Sequence, residues 1–171
     1  MALIVVLAVL ADQLLKVYIK TTYALGEAHE ITSWFWLCYV QNDGMAFGIE
    51  WFDKFFLTLF RIIAVGLLTW YSTVLVKRGV RTSYLCMIAL IMAGALGNII
   101  DCVFYGVIWN EAPWFYGKVV DMLYFPLITN AEGECLFFRP VFNLADSCIT
   151  CAVIAILIWF RKDLDESLAK K

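Results

Sequence analysis

Residues 82–103, TSYLCMIALIMAGALGNIIDCV, decide the fold of this chain. A helix needs ~20 mostly apolar residues to cross the hydrocarbon core of a bilayer, and this stretch meets that requirement. Its last turns carry Asn98 and Asp101, which are spaced i,i+3 and therefore share one helix face. A carboxylate next to lipid is costly, so it marks a candidate functional site. The stretch therefore predicts a membrane-spanning helix with a polar site at one end.

Three further apolar stretches predict a four-helix membrane bundle that forms a single domain, residues 1–171. The four predicted spans are approximately residues 2–19, 55–76, 82–103 and 141–160. The hydrophobic content of 63% and the mean hydropathy of +0.81 indicate an integral membrane protein, because soluble domains are roughly half apolar. The first stretch has no basic n-region and no small-residue cleavage site, so we interpret it as a retained helix. This composition argues against nucleic acid as a partner, whereas the net charge of -2 says little, because the placement of charge carries the information in a membrane protein.

Basic residues predict the orientation of the bundle. Lys77, Arg78 and Arg81 crowd the short connection between the second and third spans, and Arg161 and Lys162 follow the fourth. By the positive-inside rule, both regions lie in the cytoplasm, and so do the N- and C-termini. The two long connections, residues 21–54 and 104–140, are then predicted to lie outside.

The first outer connection predicts a small sheet and a short interfacial helix. Residues 30–40 are dense in aromatic and β-branched types, which favour strands, and Asp43-Gly44 is a hairpin signal. Residues 45–56 mix apolar and charged types, as expected of a helix that lies on the membrane surface. Proline and glycine interrupt residues 104–140, which predicts an irregular loop.

Three aspartates, Asp101, Asp121 and Asp146, are predicted to lie near the outer ends of the last two spans. Asp146 shares a helix face with Asn143 and lies about 22 Å along the helix from the cytoplasmic end of its span. A polar network that only joins the third and fourth helices would explain the Asn and Asp pairs. Such a network would not explain why Asp121, which lies in a loop, is expected at the same depth in the membrane as Asp101 and Asp146.

Two cations within the predicted spans have alternative interpretations. Lys16 follows Asp12 by four residues, the favourable order for an ion pair on a helix. This pair either holds the first helix in the bundle or contacts substrate, since charged pairs within membranes are found in both roles. Arg61, about two turns into the second span, is expected to extend to the interface or to pair with an outer carboxylate.

The residue types present limit the chemistry of these aspartates. With a single histidine the chain has no zinc-ligand spacing, which argues against a metalloprotease, and no Gly-x-Ser-x-Gly motif, which argues against the usual hydrolase nucleophile. No metal or other cofactor is expected. Two close aspartates can share a proton, so that one acts as an acid while the other takes a proton from an attacking water. Asp121 and Asp146 are the candidates for this pair. A proton-coupled transporter that uses the acids as a relay is the alternative function.

Five short motifs resemble those of the signal peptidase II family, the lipoprotein signal peptidases, over nearly the whole chain. They are Asp12-Gln13-x-x-Lys16, Asn42-x-Gly44-x-Ala46-Phe47, Gly97-Asn98-x-x-Asp101, Val119-Val120-Asp121 and Phe142-Asn143-x-Ala145-Asp146. Each motif alone is short. Five of them in the family's order, on a four-helix plan, make a specific match.

The resemblance implies an all-α integral membrane protein, a four-transmembrane-helix bundle with a small extracytoplasmic β-cradle. It implies an aspartyl endopeptidase of the bacterial cytoplasmic (inner) membrane, with its active site near the outer face. The substrate would be a prolipoprotein, cleaved just before its diacylglyceryl-modified cysteine, and we expect the enzyme to be a monomer in contact with membrane lipid. The family's catalytic pair falls on Asp121 and Asp146, and its supporting positions fall on Asp12, Lys16, Asn42, Gly44, Asn98, Asp101 and Asn143.

Two departures from the family pattern follow Asp101. The family usually has arginine directly after this aspartate, where this chain has Cys102. We expect another outer cation to compensate, with Arg139, just ahead of the fourth span, as the first candidate and Lys118 as the second. The second outer connection is also longer than the family's, with residues 109–116 inserted, which affects the loop over the site rather than the chemistry.

Overall fold

The computed structural model describes residues 1–43, 54–130, 135–137 and 140–169. The helices in these ranges are α1 (Ala2–Thr22), α2 (Lys54–Lys77), α3 (Thr82–Ile100), α4 (Gly106–Ile108), α5 (Leu144–Trp159) and α6 (Arg161–Ala169). A π-helical segment, Asp101–Tyr105, continues α3 into α4. The strands are β1 (Ala28–Thr32), β2 (Phe35–Asn42), β3 (Val119–Tyr124), β4 (Ile128–Thr129) and β5 (Cys135–Phe137).

Each predicted span falls on a helix, and three helical stretches in the described ranges are individually long and apolar enough to cross a membrane. They are α1, α2 and the continuous stretch Thr82–Ile108. The fourth candidate, α5, starts later than the predicted residue 141 because Asn143 caps it. It meets α6, which the sequence pattern does not predict, at a bend of 85°. The described chain therefore has three candidate spans, or four when α5 and α6 count as one broken span.

The central helix of the bundle is α3. It contacts α1, α2 and α5, and half of its apolar stretch is buried, against 17% for α1 and for α2. Glycine at position 94 lets α5 approach, because a Cβ there would collide with the carbonyl oxygen of Ala145. A Cβ at Gly97 would lie 2.6 Å from Asp12 Oδ2, so glycine leaves room for that carboxylate. Small side chains thus bring α1 and α5 against the polar end of α3.

A three-stranded antiparallel sheet, in the order β1-β2-β3, packs on the C-terminal end of α1. The strand prediction for residues 30–40 is confirmed as the β1-β2 hairpin, whose turn lies at Ser33 and Trp34. The Asp43-Gly44 hairpin signal stays a prediction, because the residues that would follow such a turn lie outside the described ranges. Gly44 itself lies outside the described residues.

The prediction of an irregular loop for residues 104–140 is wrong. This connection contains the end of the π-helical segment, α4, β3 and a two-stranded sheet of β4 and β5. The first four residues of β3 are all buried, so the strand lacks the apolar-polar alternation that would reveal it in the sequence. The predicted interfacial helix, residues 45–56, falls mostly outside the described residues, and Phe55 and Phe56 belong to α2.

Candidate active site

The side chain of Asp121, in β3, is held by two amides. Asn42 Nδ2 donates to Oδ2 at 2.9 Å, and Asn143 Nδ2 donates to Oδ1 at 2.6 Å. Asp121 is only 2% exposed. Burial raises the pKa of this carboxyl to about 6, the Asn42 hydrogen bond lowers it, and the neighbouring Asp146 charge raises it. A pKa near the operating pH is what an acid–base catalyst requires.

Asp146 is held by helix capping in the first turn of α5. Its backbone N–H donates to Asn143 Oδ1 at 2.9 Å, and its Oδ2 accepts from Asn143 N at 3.4 Å, which completes a capping box. The other carboxylate oxygen accepts from Asn98 Nδ2 at 2.7 Å. Asp146 is half-buried, so its side chain is more accessible than that of Asp121. The cap therefore fixes the position of a carboxylate that remains partly open.

Asn143 connects the two aspartates. Its Nδ2 donates to Asp121 and its Oδ1 accepts from the backbone of Asp146. The same Nδ2 lies 3.1 Å from Asn98 Oδ1, which also accepts from Lys16 Nζ at 2.9 Å. Asn143 is fully buried, so the surrounding helices and strand fix this geometry. The two aspartates therefore share a network of neutral amides.

A second pair of carboxylates surrounds Lys16, whose side chain is fully buried. Its Nζ lies 2.9 Å from Asp12 Oδ2 and 2.8 Å from Asp101 Oδ2. Both aspartates are also buried, so one ammonium and two carboxylates form a compact charged cluster. Buried charges are tolerated only when they are paired and hydrogen-bonded. The Asp12–Lys16 pair predicted from the sequence is thus one arm of a three-residue cluster.

The Lys16 cluster also holds the backbone beside the candidate catalytic residues. Asp12 Oδ1 accepts from Ala145 N–H at 2.9 Å, and Asp101 Oδ2 accepts from Val120 N–H at 3.2 Å. Each of these N–H groups belongs to the residue immediately before a candidate catalytic aspartate. The cluster therefore sets the spacing between α5 and β3 at the site.

Gln13 and Tyr105 extend this network, although the sequence analysis does not single them out as site residues. Gln13 Nε2 donates to Asp101 Oδ1 at 3.0 Å and to the Gly97 carbonyl at 3.1 Å. Tyr105 OH donates to Gln13 Oε1 at 3.1 Å. The only sequence signal for Gln13 is its place in the first motif. Tyr105 belongs to the π-helical segment, a type of distortion that is frequent at functional sites but has no clear sequence pattern.

Two basic residues of α2 lie near the site. Arg61 Nη1 donates to Cys102 Sγ at 3.1 Å, and this thiol is buried directly after Asp101. Lys54 is seven residues earlier, on the same helix face, and its Nζ lies 2.9 Å from Asp43 Oδ1. The Lys54 hydrogen bond holds the pKa of the Asp43 carboxyl below its usual range. The thiol contact of Arg61 was not predicted, and the expected interface or carboxylate contact stays a prediction.

Most of the predicted site residues lie in one connected network, and two fall outside the described residues. The network contains Asp12, Lys16, Asn42, Asn98, Asp101, Asp121, Asn143 and Asp146. Gly44 and Arg139 are the two residues outside the described ranges. Lys118, the second candidate for the compensating cation, lies 4.0 Å from Asp43 and is 47% exposed.

The fold and the site define a multi-pass membrane protein with a buried cluster of carboxylates and amides. Residues 4–162 match the family model of signal peptidase (SPase) II. A lipoprotein signal peptidase from Porphyromonas gingivalis is 41% identical, over 94% of this chain and 82% of that protein. One from Amoebophilus asiaticus is 37% identical, over 98% of this chain and 80% of that protein. The chain belongs to the signal peptidase II family.

A solved structure is consistent with this family membership. A bacterial membrane enzyme determined by the in meso method is 31% identical to this chain and superposes with a TM-score of 0.72. The match covers 99% of this chain and 92% of the enzyme. The helical architecture described above is therefore shared with a membrane enzyme of known structure.

Proposed function

We propose that Asp121 and Asp146 are the catalytic pair of this peptidase. The observation that carries the proposal is the bridge through Asn143, which contacts both residues. Asn42 and Asn98 bind the remaining oxygens of the two carboxylates. Within the described ranges, neither aspartate forms a salt bridge with lysine or arginine. Neutral amides thus orient the pair without fixing its charge, which allows one member to hold a proton while the other is ionised.

Family membership supplies the reaction. As a member of the signal peptidase II family, the protein is a peptidase that removes the signal peptide from prolipoproteins. The cleaved bond is the one just before the diacylglyceryl-modified cysteine of the substrate. The relatives give no support to the alternative of a proton-coupled transporter.

The proposed reaction is hydrolysis by an activated water. The ionised carboxylate takes a proton from water as the water oxygen bonds to the scissile carbonyl carbon, and the protonated carboxyl donates to the carbonyl oxygen. A tetrahedral diol forms. When its C–N bond breaks, the protonated carboxyl donates its proton to the amine nitrogen, and one hydroxyl of the diol gives its proton to the ionised carboxylate. The acid and amine products then leave, and the pair again holds one proton. No covalent intermediate with the protein is required.

The remaining residues support this pair. Lys16, Asp12 and Asp101 fix the backbone before each catalytic residue, and the ammonium reaches Asp146 indirectly through Asn98. These contacts support our proposal that the Asp12–Lys16 pair holds the first helix in the bundle and positions the site, rather than contacting substrate. Roles for Gly44 and Arg139 rest on the sequence motifs and on position in the chain.

The outer surface of the helices suits contact with lipid. On α1, the exposed side chains include Leu3, Leu7, Leu10 and Leu14, which repeat at helical spacing along one side. We assign this side to the acyl chains of the bilayer, where apolar side chains cost nothing to expose. Four spans, a β-cradle over the site and a monomeric enzyme complete the proposed architecture.

Orientation follows from the basic residues. The α2–α3 connection carries Arg78 and Arg81, and α6 begins with Arg161 and Lys162, so both are assigned to the cytoplasm, together with the two termini. The active site then faces outward. A membrane-impermeant thiol reagent applied to intact cells should label a cysteine introduced at Glu30 but not one at Gly79. The reverse labelling would place the site on the wrong side.

Cleavage of a diacylated prolipoprotein peptide by purified protein tests the catalytic pair. Asp121→Asn and Asp146→Asn should each lower the rate by about a thousandfold or more while the protein stays folded, because water activation needs both groups. Asp165→Asn, the same change at an exposed position of α6, is the matched control and should cleave at the parental rate. Substantial cleavage by either active-site variant would refute the assignment.

A further inference from the structure

Glu111 joins three parts of the fold on the side of the sheet opposite Asp121. It lies in the connection between α4 and β3, and its Oε1 is 2.6 Å from Lys20 Nζ, in the last turn of α1. Its Oε2 accepts from Gln41 Nε2 of β2 at 3.2 Å. One carboxylate therefore links this connection, α1 and β2.

The ammonium of Lys20 depends on this carboxylate. The Lys20 side chain is 4% exposed, and Glu111 is its only salt-bridge partner among the residues that the structure describes. Its Nζ also donates to Tyr39 OH at 2.9 Å and lies over the rings of Tyr39 and Trp109. Ring faces and a hydroxyl favour a cation but do not neutralise it. Loss of Glu111 would leave a nearly buried charge without its counterion.

The three polar side chains of this cluster line a pocket that is open to solvent. The pocket has a volume of about 460 Å³, and its lining includes Lys20, Gln41 and Glu111. Protein interiors are close-packed, whereas these side chains face open space on one side. On that side, no close packing would hold Lys20 and Gln41 in place if the Glu111 hydrogen bonds were removed.

Strand geometry connects this cluster to the active site. Gln41 and Asn42 are consecutive residues of β2, so their side chains point to opposite faces of the sheet. Gln41 reaches Tyr39 OH and Glu111 on one face, and Asn42 reaches Asp121 on the other. A restraint on Gln41 is therefore a restraint on the backbone that carries Asn42, at the last residue of the strand.

We infer that Glu111 is a positioning residue for peptide-bond cleavage: by holding Gln41 and Lys20, it keeps the Asn42 amide on Asp121. This inference rests on the proposed function of Asp121. This role differs from that of a residue that only anchors the connection between α4 and β3, because the effect of such an anchor on cleavage would not depend on Asn42.

A double-mutant cycle separates these two roles. Turnover of a diacylated prolipoprotein peptide would be measured for the parent, Glu111→Ala, Asn42→Ala and the double variant. We expect kcat to fall about threefold for Glu111→Ala and about fivefold for Asn42→Ala, with KM changed less than about twofold. The double variant should lose about fivefold, no more than Asn42→Ala alone, because both changes disturb one contact. Glu30→Ala, an exposed position of β1, should match the parent.

Additive losses, about fifteenfold in the double variant, would overturn the inference, and so would a parental kcat for Glu111→Ala. If Glu111→Ala does not fold, Glu111→Gln keeps the side-chain size and one acceptor but removes the charge. This variant should have a kcat between those of the parent and Asn42→Ala, and a parental value would overturn the role of the carboxylate. Failure of the parent to cleave the peptide would instead count against the proposed function.

Discussion

Two pairs of aspartates lie side by side in this protein and are held in different ways. Asp12 and Asp101 flank the buried ammonium of Lys16, whereas Asp121 and Asp146 are held by the amides of asparagines. A cation at salt-bridge distance attracts a carboxylate and fixes its position, so that its other contacts, here with backbone N–H groups, are also fixed. Neutral amides orient a carboxylate and leave its proton free to move.

The difference assigns separate tasks to chemically identical side chains. The Lys16 cluster accepts hydrogen bonds from N–H groups of α5 and β3, so it fixes the positions of Asp146 and Asp121. The amide-held pair is suited to proton transfer, because burial and mutual repulsion keep the pKa of Asp121 raised. Substitutions that affect one pair of aspartates and not the other can therefore test whether one pair positions the site and the other transfers protons.

Removal of the cation should have the largest effect. Lys16→Met leaves two buried carboxylates without their partner, so the free energy of unfolding should fall by about 3–5 kcal/mol and cleavage should be lost. Thermal unfolding in detergent would measure this change. Asp121→Asn should unfold close to the parental temperature, since it removes a carboxylate whose ionisation is already disfavoured by burial. Equal losses of stability in the two variants would contradict the division of tasks.

The cation beside Cys102 should have the next largest effect, and two arginines compete for this role. Arg61 donates to the Cys102 thiol, next to the Lys16 cluster, whereas Arg139 is favoured by its place in the sequence. If Arg61 compensates, Arg61→Ala should lower kcat/KM by about tenfold, and Cys102→Arg should restore part of the loss. The peptide assay applied to both arginine variants decides between them. If only Arg139→Ala lowers kcat/KM tenfold, Arg139 rather than Arg61 is the compensating cation.

The smallest effect concerns the pH dependence of the amide-held pair. The Asn42 hydrogen bond lowers the pKa of Asp121, so Asn42→Ala raises that pKa and lets the pair keep its shared proton to higher pH. In this variant, the alkaline limb of kcat/KM against pH should move to higher pH, and the maximal rate should fall about fivefold. A limb that stays in place, or moves to lower pH, would show that Asn42 does not act on the proton of the pair.

Some features of the fold could be read from the sequence, and others could not. The helices α1, α2, α3 and α5 were predictable because each contains a long apolar run. The β1–β2 hairpin was predictable because aromatic and β-branched residues are concentrated there. By contrast, the first four residues of β3 are buried, and the strand begins two residues after Gly117, so its sequence lacks the alternation typical of a strand. The π-helical segment after α3 and the bend between α5 and α6 also lack a local pattern.

The candidate site divides in the same way. Asp121, Asp146 and the asparagines stand in recognisable motifs, so their identity was available from the chain. Gln13 stands in the first motif and Arg61 is a cation within the second span, but the sequence did not reveal their partners. Tyr105 and Glu111 entered only through contacts with residues far away in sequence. Their types are common on helices and loops, and no local spacing distinguishes them.

The sequence by itself determined that this is a membrane protein, where its apolar helices lie and which family it belongs to, because hydropathy and short motifs are local properties. Only the tertiary structure decided which carboxylates lie beside a buried cation and which are held by amides. That outcome depends on one lysine of α1 lying between Asp12 and Asp101, and on Asn143 capping α5 within reach of β3. Charge and proton affinity are set by neighbours in space, and those neighbours are chosen by packing.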